Sequence, residues 1–456
     1  MKLLFSLLAL LPLVLSDPQC PTGPITSSGK FPDRLTPLSN GYRCAMNFNI
    51  TDGYMVKFNF NAVLPVFDTS EIYLFTAGEF MGIGGVGTYY APATATSLVL
   101  QITQPNAAFY VEYEFVNVQN YTKIQKYAGD YILMNFPATS YVTFTNEQFG
   151  ALTLAFASTL EKDLTYYYAY VYDGADLSAP CLGRLMHVVG NTPMTKSSSN
   201  SITIANFWGM ELATYVIAND YSSVFFYDRY ELIINNDHIP AQASTVKGIM
   251  SYSAFSVVCD NCDTVYIESM QYSSYLPNAT VEIYPMSPSY TRWPTMTYRL
   301  QDMNINTLPL QIPAKQFWIV IRNANMFIGF SSSSAIKKQW LAPAAGRKIT
   351  LMSRSLWTPT ESPMFNYQFQ SQISFNYTLT DVTIAVKRLG ERLRLKIGTP
   401  GKSNNLQKDF TCDSSGPPCV RTNYQPTSAP GTYCSLNYIG SDTQSWSGAT
   451  LLINNL

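Results

Sequence analysis

Apolar residues recur at every second position through much of the chain. Val56, Phe58 and Phe60 alternate with polar residues, and comparable sets occur at residues 98–102 and 109–115. A period of two places alternate side chains on opposite faces of a strand, so one face can be buried against a second sheet. No long stretch has a convincing 3.6-residue period. We therefore predict an all-β protein with little helix.

Short clusters of Gly, Pro, Ser and Asn separate these strand-like runs, as is typical of β-sandwiches. Further runs lie at residues 166–172, 201–207, 264–268, 317–321 and 393–397. A chain of 456 residues is long enough for several domains. We predict tandem antiparallel β-sandwich domains at residues 17–127 and 128–237, a β-rich domain at 238–340, and a β-rich domain at 341–456 that carries a cysteine-stapled loop. The stretch 331–348 is the most linker-like boundary.

The first 16 residues have the pattern of a secretory signal peptide. Lys2 precedes a short apolar run that ends at the small residue Ser16, and the run is too short to span a bilayer. No later segment is long and apolar enough to do so, and residues 445–456 lack the long apolar tail of a lipid-anchor signal. We expect a secreted, extracellular protein that begins at Asp17 and has no membrane span.

The eight cysteines and four Asn-x-Thr sequons fit that route. In an oxidising compartment an even number of cysteines indicates disulfides, here among Cys20, Cys44, Cys181, Cys259, Cys262, Cys412, Cys419 and Cys434. Eight cysteines allow 105 complete pairings, and the sequence does not choose among them. The sequons predict glycans in surface loops or at strand ends, at Asn49, Asn120, Asn278 and Asn376.

Composition narrows the function classes. The net charge is −1 and charged residues make up 13% of the chain, so no global field would attract nucleic acid. Tyrosine (32) and phenylalanine (25) are abundant, which favours strands. We expect no nucleic-acid partner.

One stretch resembles the second half of a CUB domain. Residues 168–174 form an aromatic strand ending in Asp173-Gly174, followed by Leu182-Gly183-Arg184 and a Ser-rich approach to residues 201–204. The opening of the chain, from Cys20 to Gly41-Tyr-Arg-Cys44, resembles the CUB-like secreted proteins known chiefly from nematodes. The two resemblances cover about the first 230 residues.

The resemblance implies extracellular β-sandwiches that serve recognition, often in defence or stress response at secretory epithelia. It also implies a disulfide between Cys20 and Cys44. Some CUB domains bind calcium through carboxylates, which suit a hard cation. Asp173 matches the Asp-Gly position of that set, and Glu161, Asp163 or Asp220 could supply further oxygens. The alternative is that Asp173 is a turn residue before Gly174. We expect no other cofactor.

The motifs of enzyme chemistry are weak here. His187 lies in an apolar, strand-like run and is expected in the core or across a strand pair, while His238 lies in a turn. Residues 82–87 match Gly-x-Gly-x-x-Gly, but a strand-like segment follows where a dinucleotide site needs a helix. Cys259-Asp-Asn-Cys262 predicts a local staple or two ends of separate bridges. We expect that this protein is not an enzyme.

A basic strand is the most suggestive surface feature. If residues 392–397 form a strand, Arg392, Arg394 and Lys396 share one face as a basic ladder, where they could bind anionic ligands. The alternative is protection of an edge strand. The tyrosines of 166–172 could stack on sugars, or they could be core.

Our first hypothesis is therefore an extracellular binding protein for glycan or protein ligands. A structural or matrix protein is the second, and a carboxylate-based glycoside hydrolase is the third.

Overall fold

The structure, a computed structural model, describes residues 17–64, 71–103, 106–159, 168–189, 194–209, 213–236, 241–244, 251–290, 293–303, 305–412, 418–422 and 424–456. Strands dominate these residues, and the few helices are short. The all-β sandwich prediction is confirmed.

The first sandwich packs two four-stranded sheets face to face. Its strands are β1 (Gly29–Leu38), β2 (Arg43–Phe48), β3 (Tyr54–Val63), β4 (Ile72–Thr76), β5 (Glu79–Gly82), β6 (Gly87–Ala91), β7 (Thr96–Gln101) and β8 (Ala107–Asn117). One sheet has the order β1-β8-β3-β6 and the other β2-β7-β4-β5, and all pairs are antiparallel. The alternating set Val56, Phe58 and Phe60 is buried between the sheets, as its period predicts.

The second sandwich is built from a five-stranded and a three-stranded sheet. Its elements are β9 (Thr122–Tyr127), β10 (Tyr131–Leu133), β11 (Ser140–Thr145), β12 (Leu152–Ser158), β13 (Tyr170–Tyr172), β14 (Cys181–Arg184), α1 (Leu185–Val189), β15 (Ser201–Ala205) and β16 (Thr214–Asp220). The orders are β14-β13-β15-β11-β9 and β10-β16-β12. Strands β9 and β11 pair in parallel because the chain crosses to the other sheet as β10 between them.

The third unit is one seven-stranded sheet bent over its own core. Its elements are α2 (Tyr221–Val224), β17 (Arg229–Asn235), β18 (Ala241–Ser244), β19 (Tyr252–Cys259), β20 (Val265–Pro285), β21 (Met296–Arg299), β22 (Leu310–Ile312) and β23 (Gln316–Ser331), with 3-10 turns at Leu300–Asp302 and Ile305–Thr307. The pairing of β20 with β23 shifts register at several points. Bulges of this kind bend a strand, so both halves of β20 reach the same core. Strands β17 and β19 are parallel, the second exception to an antiparallel fold.

The fourth unit, the C-terminal sheet, repeats that design. Its elements are α3 (Ser334–Leu341), β24 (Arg347–Met352), a 3-10 turn at Arg354–Leu356, β25 (Phe365–Val386), β26 (Arg392–Gly398), β27 (Leu406–Phe410), β28 (Cys419–Arg421), β29 (Thr427–Ile439) and β30 (Trp446–Asn454). The order is β24-β30-β25-β29-β26-β27, and β28 pairs with β25. The 22-residue strand β25 pairs with β29, β30 and β28 and covers the core around Trp340 and Tyr377.

Apolar side chains join consecutive units. Tyr170 and Phe207 of the second sandwich pack with Met55 and Val118 of the first, and the Tyr170 hydroxyl donates to the Tyr90 carbonyl oxygen at 2.8 Å. The second and third units meet through a separate cluster that contains Tyr215, Ile217, Leu232 and Val258. The third and fourth share core residues, since Trp340 packs against Tyr266 with ring centroids 6.1 Å apart.

The stretch 331–348 differs from the linker that its sequence indicates. Residues Ser334–Leu341 form α3, whose first turn is capped by the Ser333 hydroxyl accepting from the Ile336 N–H at 3.3 Å. Trp340 is 1% exposed, and packing of its ring holds the helix against the sheet. The predicted boundary at 340/341 therefore falls inside a helix. The predicted signal peptide, residues 1–16, lies outside the described residues.

The cysteines form three disulfides. Cys20 pairs with Cys44, Cys259 with Cys262, and Cys412 with Cys419. Cys181 and Cys434 are free thiols, so their assignment to disulfides was wrong. Cys434 is buried inside β29 as a small apolar residue of the core, not in a stapled loop. Burial raises the pKa of the Cys181 thiol to about 12 and that of Cys434 further.

Candidate ligand-binding site

The predicted basic ladder exists as a strand. In β26, Leu393, Leu395 and Ile397 are buried, while Arg392, Arg394 and Lys396 lie half-buried on the opposite, outer face. The alternation follows the strand period. The edge-protection alternative is wrong, because β26 lies between β27 and β29 and is not an edge strand. Basic residues on an interior strand need another explanation.

Asp409 on β27 neutralises part of the ladder. Its carboxylate accepts two bonds from Arg394, Nε to Oδ1 at 2.7 Å and Nη2 to Oδ2 at 2.8 Å. Arg392 Nε lies 3.2 Å from the same Oδ2. Hydrogen bonding by Arg394 holds the pKa of Asp409 below its usual value. Two guanidinium groups share one carboxylate, so the face keeps a modest positive charge to which Lys396 adds.

A row of amide side chains lies beside this ladder. Asn366, Gln368 and Gln370 occupy alternate positions of β25 and are exposed. Across the strands, Asn366 is opposite Asn437, and Gln370 is opposite Tyr433. Within the described part of the chain, no hydrogen bond or ion pair is made by the side chains of these three β25 residues. We call Asn366, Gln368, Gln370, Tyr433, Asn437 and Lys396 the amide face.

Gln368, Gln370 and Tyr433 also line a concavity on this face. Pro400 and Asn405, from the loop between β26 and β27, complete the wall of a cavity of about 270 Å³. Asn405 is held in place by its Oδ1, which accepts from the Thr399 N–H at 2.9 Å. The amide face therefore contains a concavity in addition to its polar side chains.

A buried carboxylate holds the turn that begins the ladder. Glu391, which precedes Arg392, is 6% exposed. Its two oxygens accept from five donors: the N–H groups of Lys387 (3.3 Å), Arg388 (3.2 Å), Ser441 (3.0 Å) and Asp442 (3.1 Å), and the Ser445 hydroxyl (2.5 Å). Burial alone would raise the pKa of Glu391, but these hydrogen bonds outweigh it and lower the pKa below its usual value. The start of β26 is thus fixed.

The calcium candidates do not gather into a site. Asp173 Oδ1 accepts from the Ser198 N–H at 2.7 Å, which fits the turn alternative. Asp220 Oδ1 accepts from the Ser222 N–H at 2.8 Å as the cap of α2. Glu161 and Asp163 lie outside the described residues. Over the described ranges, no group of three or more His, Cys, Asp or Glu residues could hold a metal ion.

His187 lies in an unexpected place. Residues Leu185–Val189 form α1 and not a strand, and the exposed imidazole contacts the Glu79 carboxylate through Nδ1. Glu79 also pairs with Arg184, whose side chain is 11% exposed. The core or cross-strand prediction for His187 was wrong, because a five-residue helix turns its imidazole toward the first sandwich. His238 is outside the described residues.

The other motifs also have structural roles. The glycine motif at residues 82–87 connects β5 to β6, so no helix follows it. Cys259 and Cys262 bridge each other across one turn, the local-staple alternative. Tyr170 and Tyr172 are buried at the junction of the first two sandwiches and cannot stack on sugars, and half-buried Tyr168 packs on Trp208. Tyr166 and Tyr167 lie outside the described residues.

The sequons occupy two kinds of position. Asn49 follows β2 and Asn120 lies in the turn after β8, both exposed, as expected. Asn278 and Asn376 lie within the long strands β20 and β25, so the expectation of a loop or strand end was wrong for them. Asn376 is half-buried, and its Oδ1 accepts from the Ser428 hydroxyl at 2.8 Å.

The sequence contains a signal for the amide face in the stretch that begins β25. Residues 365–370, Phe-Asn-Tyr-Gln-Phe-Gln, alternate aromatic and amide side chains with period two. That pattern predicts a strand whose outer face is entirely amide. The partners Tyr433 and Asn437 depend on cross-strand register and could not be predicted.

No family model matches the chain, and no curated protein matches it significantly. Several solved structures do. The CUB1-EGF-CUB2 domain of human MASP-1/3 matches at 12% identity over 42% of this chain and 99% of that chain, with a TM-score of 0.18. The corresponding domains of rat MASP-1 match at 8% over 68% and 99%, with a TM-score of 0.17.

The full extracellular region of zebrafish Gpr126/Adgrg6 matches at 9% identity over 96% of this chain and 53% of that chain, with a TM-score of 0.20. Similarity at these scores does not establish a common fold. CUB domains are among the solved structures that match this chain. The chain's membership of the nematode-type CUB-like group stays a prediction. Within the described ranges, no helix is long and apolar enough to cross a membrane.

Proposed function

We propose that this protein is a secreted, non-catalytic glycan-binding protein and that the amide face is its binding surface. One observation supports this most strongly. Asn366, Gln368 and Gln370 are exposed at alternate positions of β25, and their side chains make no hydrogen bond to any described residue. They share a sheet face with Tyr433 and Lys396. A rigid strand therefore presents donors and acceptors that the fold itself does not use.

Sugars match this set of groups. Each amide offers two donors and one acceptor oxygen, and a sugar hydroxyl both donates and accepts. Tyr433 supplies an apolar ring with a polar tip, which suits stacking on a pyranose face. Lys396 and the partly neutralised arginines favour glycans that carry some acidic groups. The rigid sheet keeps the ordering cost of binding low.

The test uses residues 17–456 made in a secretory host and applied to panels of glycans and microbial surfaces, with and without EDTA and at two salt concentrations. The variant Gln368→Ala/Gln370→Ala removes two amides from exposed positions. We expect at least about a tenfold loss of affinity, since each lost hydrogen bond is worth about 1 kcal/mol. The matched control is Gln271→Ala, an exposed glutamine on β20.

Loss of binding in both variants, or in neither, would contradict the assignment of the amide face. A wild-type chain that binds no glycan would favour a protein ligand instead. Turnover of a sugar polymer would overturn the non-catalytic proposal. A role in epithelial defence or stress response rests on the resemblance to the nematode-type proteins and stays a prediction.

A further inference from the structure

A second cavity, of about 370 Å³, lies in the third unit. Side chains from three segments line it: Ser222, Ser223 and Phe226 from α2 and the turn after it, Tyr284 from β20, and Trp318 and Arg322 from β23. None of these residues belongs to the amide face. The cavity is therefore a candidate site independent of the proposed function.

Four aromatic rings form a continuous wall of this cavity. The Phe226 and Tyr227 centroids are 4.3 Å apart, Tyr227 meets Trp318 edge-on at 6.2 Å, and Tyr284 stacks on Trp318 at 4.0 Å. Trp318 is 3% exposed and Tyr227 is 5% exposed, so the wall is fixed by packing. Aromatic faces carry negative potential and attract cations, most strongly those that are weakly hydrated.

A guanidinium group lies at the same cavity with its charge partly balanced. Arg322 Nε donates to Glu282 Oε2 at 3.1 Å, and the Tyr284 hydroxyl donates to the same oxygen at 2.5 Å. A guanidinium has five N–H donors, so this pairing leaves others for a ligand. The hydroxyl-bearing residues Ser222 and Ser223 line the cavity as well. Arg322 and Glu282 together carry no net charge, and the pair leaves guanidinium N–H donors at the cavity.

We propose that this cavity binds phosphocholine, a zwitterion with a quaternary ammonium at one end and a phosphate at the other. The aromatic wall suits the quaternary ammonium, and the nearby Glu282 carboxylate adds to its attraction. The fork of Arg322 and the serine hydroxyls suit the phosphate. A neutral zwitterion also matches a cavity in which Glu282 balances Arg322, whereas the charge of a simple anion or cation would have no net counter-charge there.

The rim distinguishes two sources of phosphocholine. Phe225 is 55% exposed and Phe226 is 51% exposed, next to each other on the turn after α2. On a phosphatidylcholine bilayer these rings would enter the interface while the headgroup fills the cavity. A phosphocholine group on a soluble molecule would use Phe226 as part of the wall and leave Phe225 in water.

The experiment measures binding of the full secreted chain by calorimetry to phosphocholine, choline chloride and inorganic phosphate, and by flotation with phosphatidylcholine and phosphatidylglycerol vesicles. We expect saturable phosphocholine binding at least about tenfold tighter than either fragment. Phe226→Ala should weaken phosphocholine binding about tenfold, and Arg322→Lys, which keeps the charge but loses the fork, should weaken it about fivefold.

If the ligand is the headgroup of a bilayer lipid, Phe225→Ala should weaken binding to vesicles and leave the affinity for free phosphocholine unchanged. The matched control is Phe149→Ala, an 84% exposed phenylalanine of the second sandwich, which should change neither. Absence of saturable phosphocholine binding by the folded wild type overturns the proposal, even if vesicles bind. Equal behaviour of Phe226→Ala and Phe149→Ala also overturns it. Glycan affinity at the amide face is measured in parallel and should not change in any of these variants.

Discussion

Replacing Glu391 by glutamine is the sharpest test of how the C-terminal sheet is stabilised. The wild-type carboxylate accepts from two backbone N–H groups through Oε1, and from two backbone N–H groups and the Ser445 hydroxyl through Oε2. A glutamine keeps one acceptor oxygen, so its amide NH₂ must face at least two N–H donors. Each buried donor without an acceptor costs about 1–2 kcal/mol. We expect Glu391→Gln to lower the free energy of unfolding of this sheet by about 2–4 kcal/mol.

The pH dependence should separate this effect from a general packing defect. The pKa of Glu391 is lower in the folded state than in the unfolded chain, where a glutamate has a pKa of about 4.3. Its contribution is therefore fully present above that value and is lost as pH falls through the folded pKa. Wild-type stability should drop on acidification more steeply than that of Glu391→Gln, so the two curves should converge at low pH.

Hydrogen exchange read by mass spectrometry is the suitable assay, because a chain of several units need not unfold in one step. Peptides covering residues 387–392 and 439–446 should exchange faster in Glu391→Gln, while peptides from the first sandwich should not change. Glu147→Gln, at an exposed glutamate, is the matched control. Unchanged exchange in both segments, or an equal pH slope in variant and wild type, would refute the reasoning.

Three further outcomes follow from surface charge, glycosylation and thiol burial. Asp409→Asn should change the free energy of unfolding by less than about 1 kcal/mol, because the ion pair between Asp409 and Arg394 is partly exposed. The same variant should bind acidic glycans more tightly, because it removes the carboxylate that partly neutralises the arginines; weaker binding would contradict this argument. Site-resolved mass spectrometry after endoglycosidase treatment should find Asn376 the least occupied sequon, because its side chain is half-buried in a paired strand; full occupancy would contradict this. A thiol reagent should not label the buried Cys434 in the native chain, should label the half-buried Cys181 slowly because its pKa is raised to about 12, and should label both after unfolding without reductant; rapid labelling of native Cys434 would contradict its burial.

Period-two patterns predicted the strands well, because the burial of one strand face requires apolar residues at alternate positions of that same segment. The set Val56, Phe58 and Phe60 is buried as its spacing requires, and Arg392 and Arg394 point away from Leu393 for the same reason. Patterns of this kind carry no information about which strands become neighbours. The parallel pairs β9·β11 and β17·β19, and the interior position of β26, are set by long-range pairing.

Predictions from local composition were wrong where tertiary packing determines the structure of the segment. The Ser-rich stretch before α3 has the composition of a linker, yet Ser333 caps a helix whose Trp340 enters the core. The predicted oxidising compartment favours disulfides for Cys181 and Cys434, but both are unbridged in the fold. The aromatic wall of the phosphocholine cavity joins residues almost 100 positions apart, from Phe226 to Trp318, and no sequence window contains both.

The position of β30 has a consequence for how this chain is made. Residues Trp446–Asn454 lie between β24 and β25, and β24 lies at the end of the sheet order with β30 as its neighbour. During synthesis, β24 therefore leaves the ribosome about 100 residues before the strand that it must pair with. Until then it stays exposed and prone to misassociation, and a premature stop codon before Trp446 would leave it permanently unpaired. We expect truncation just before Trp446 to prevent folding of the C-terminal sheet as severely as truncation before β25.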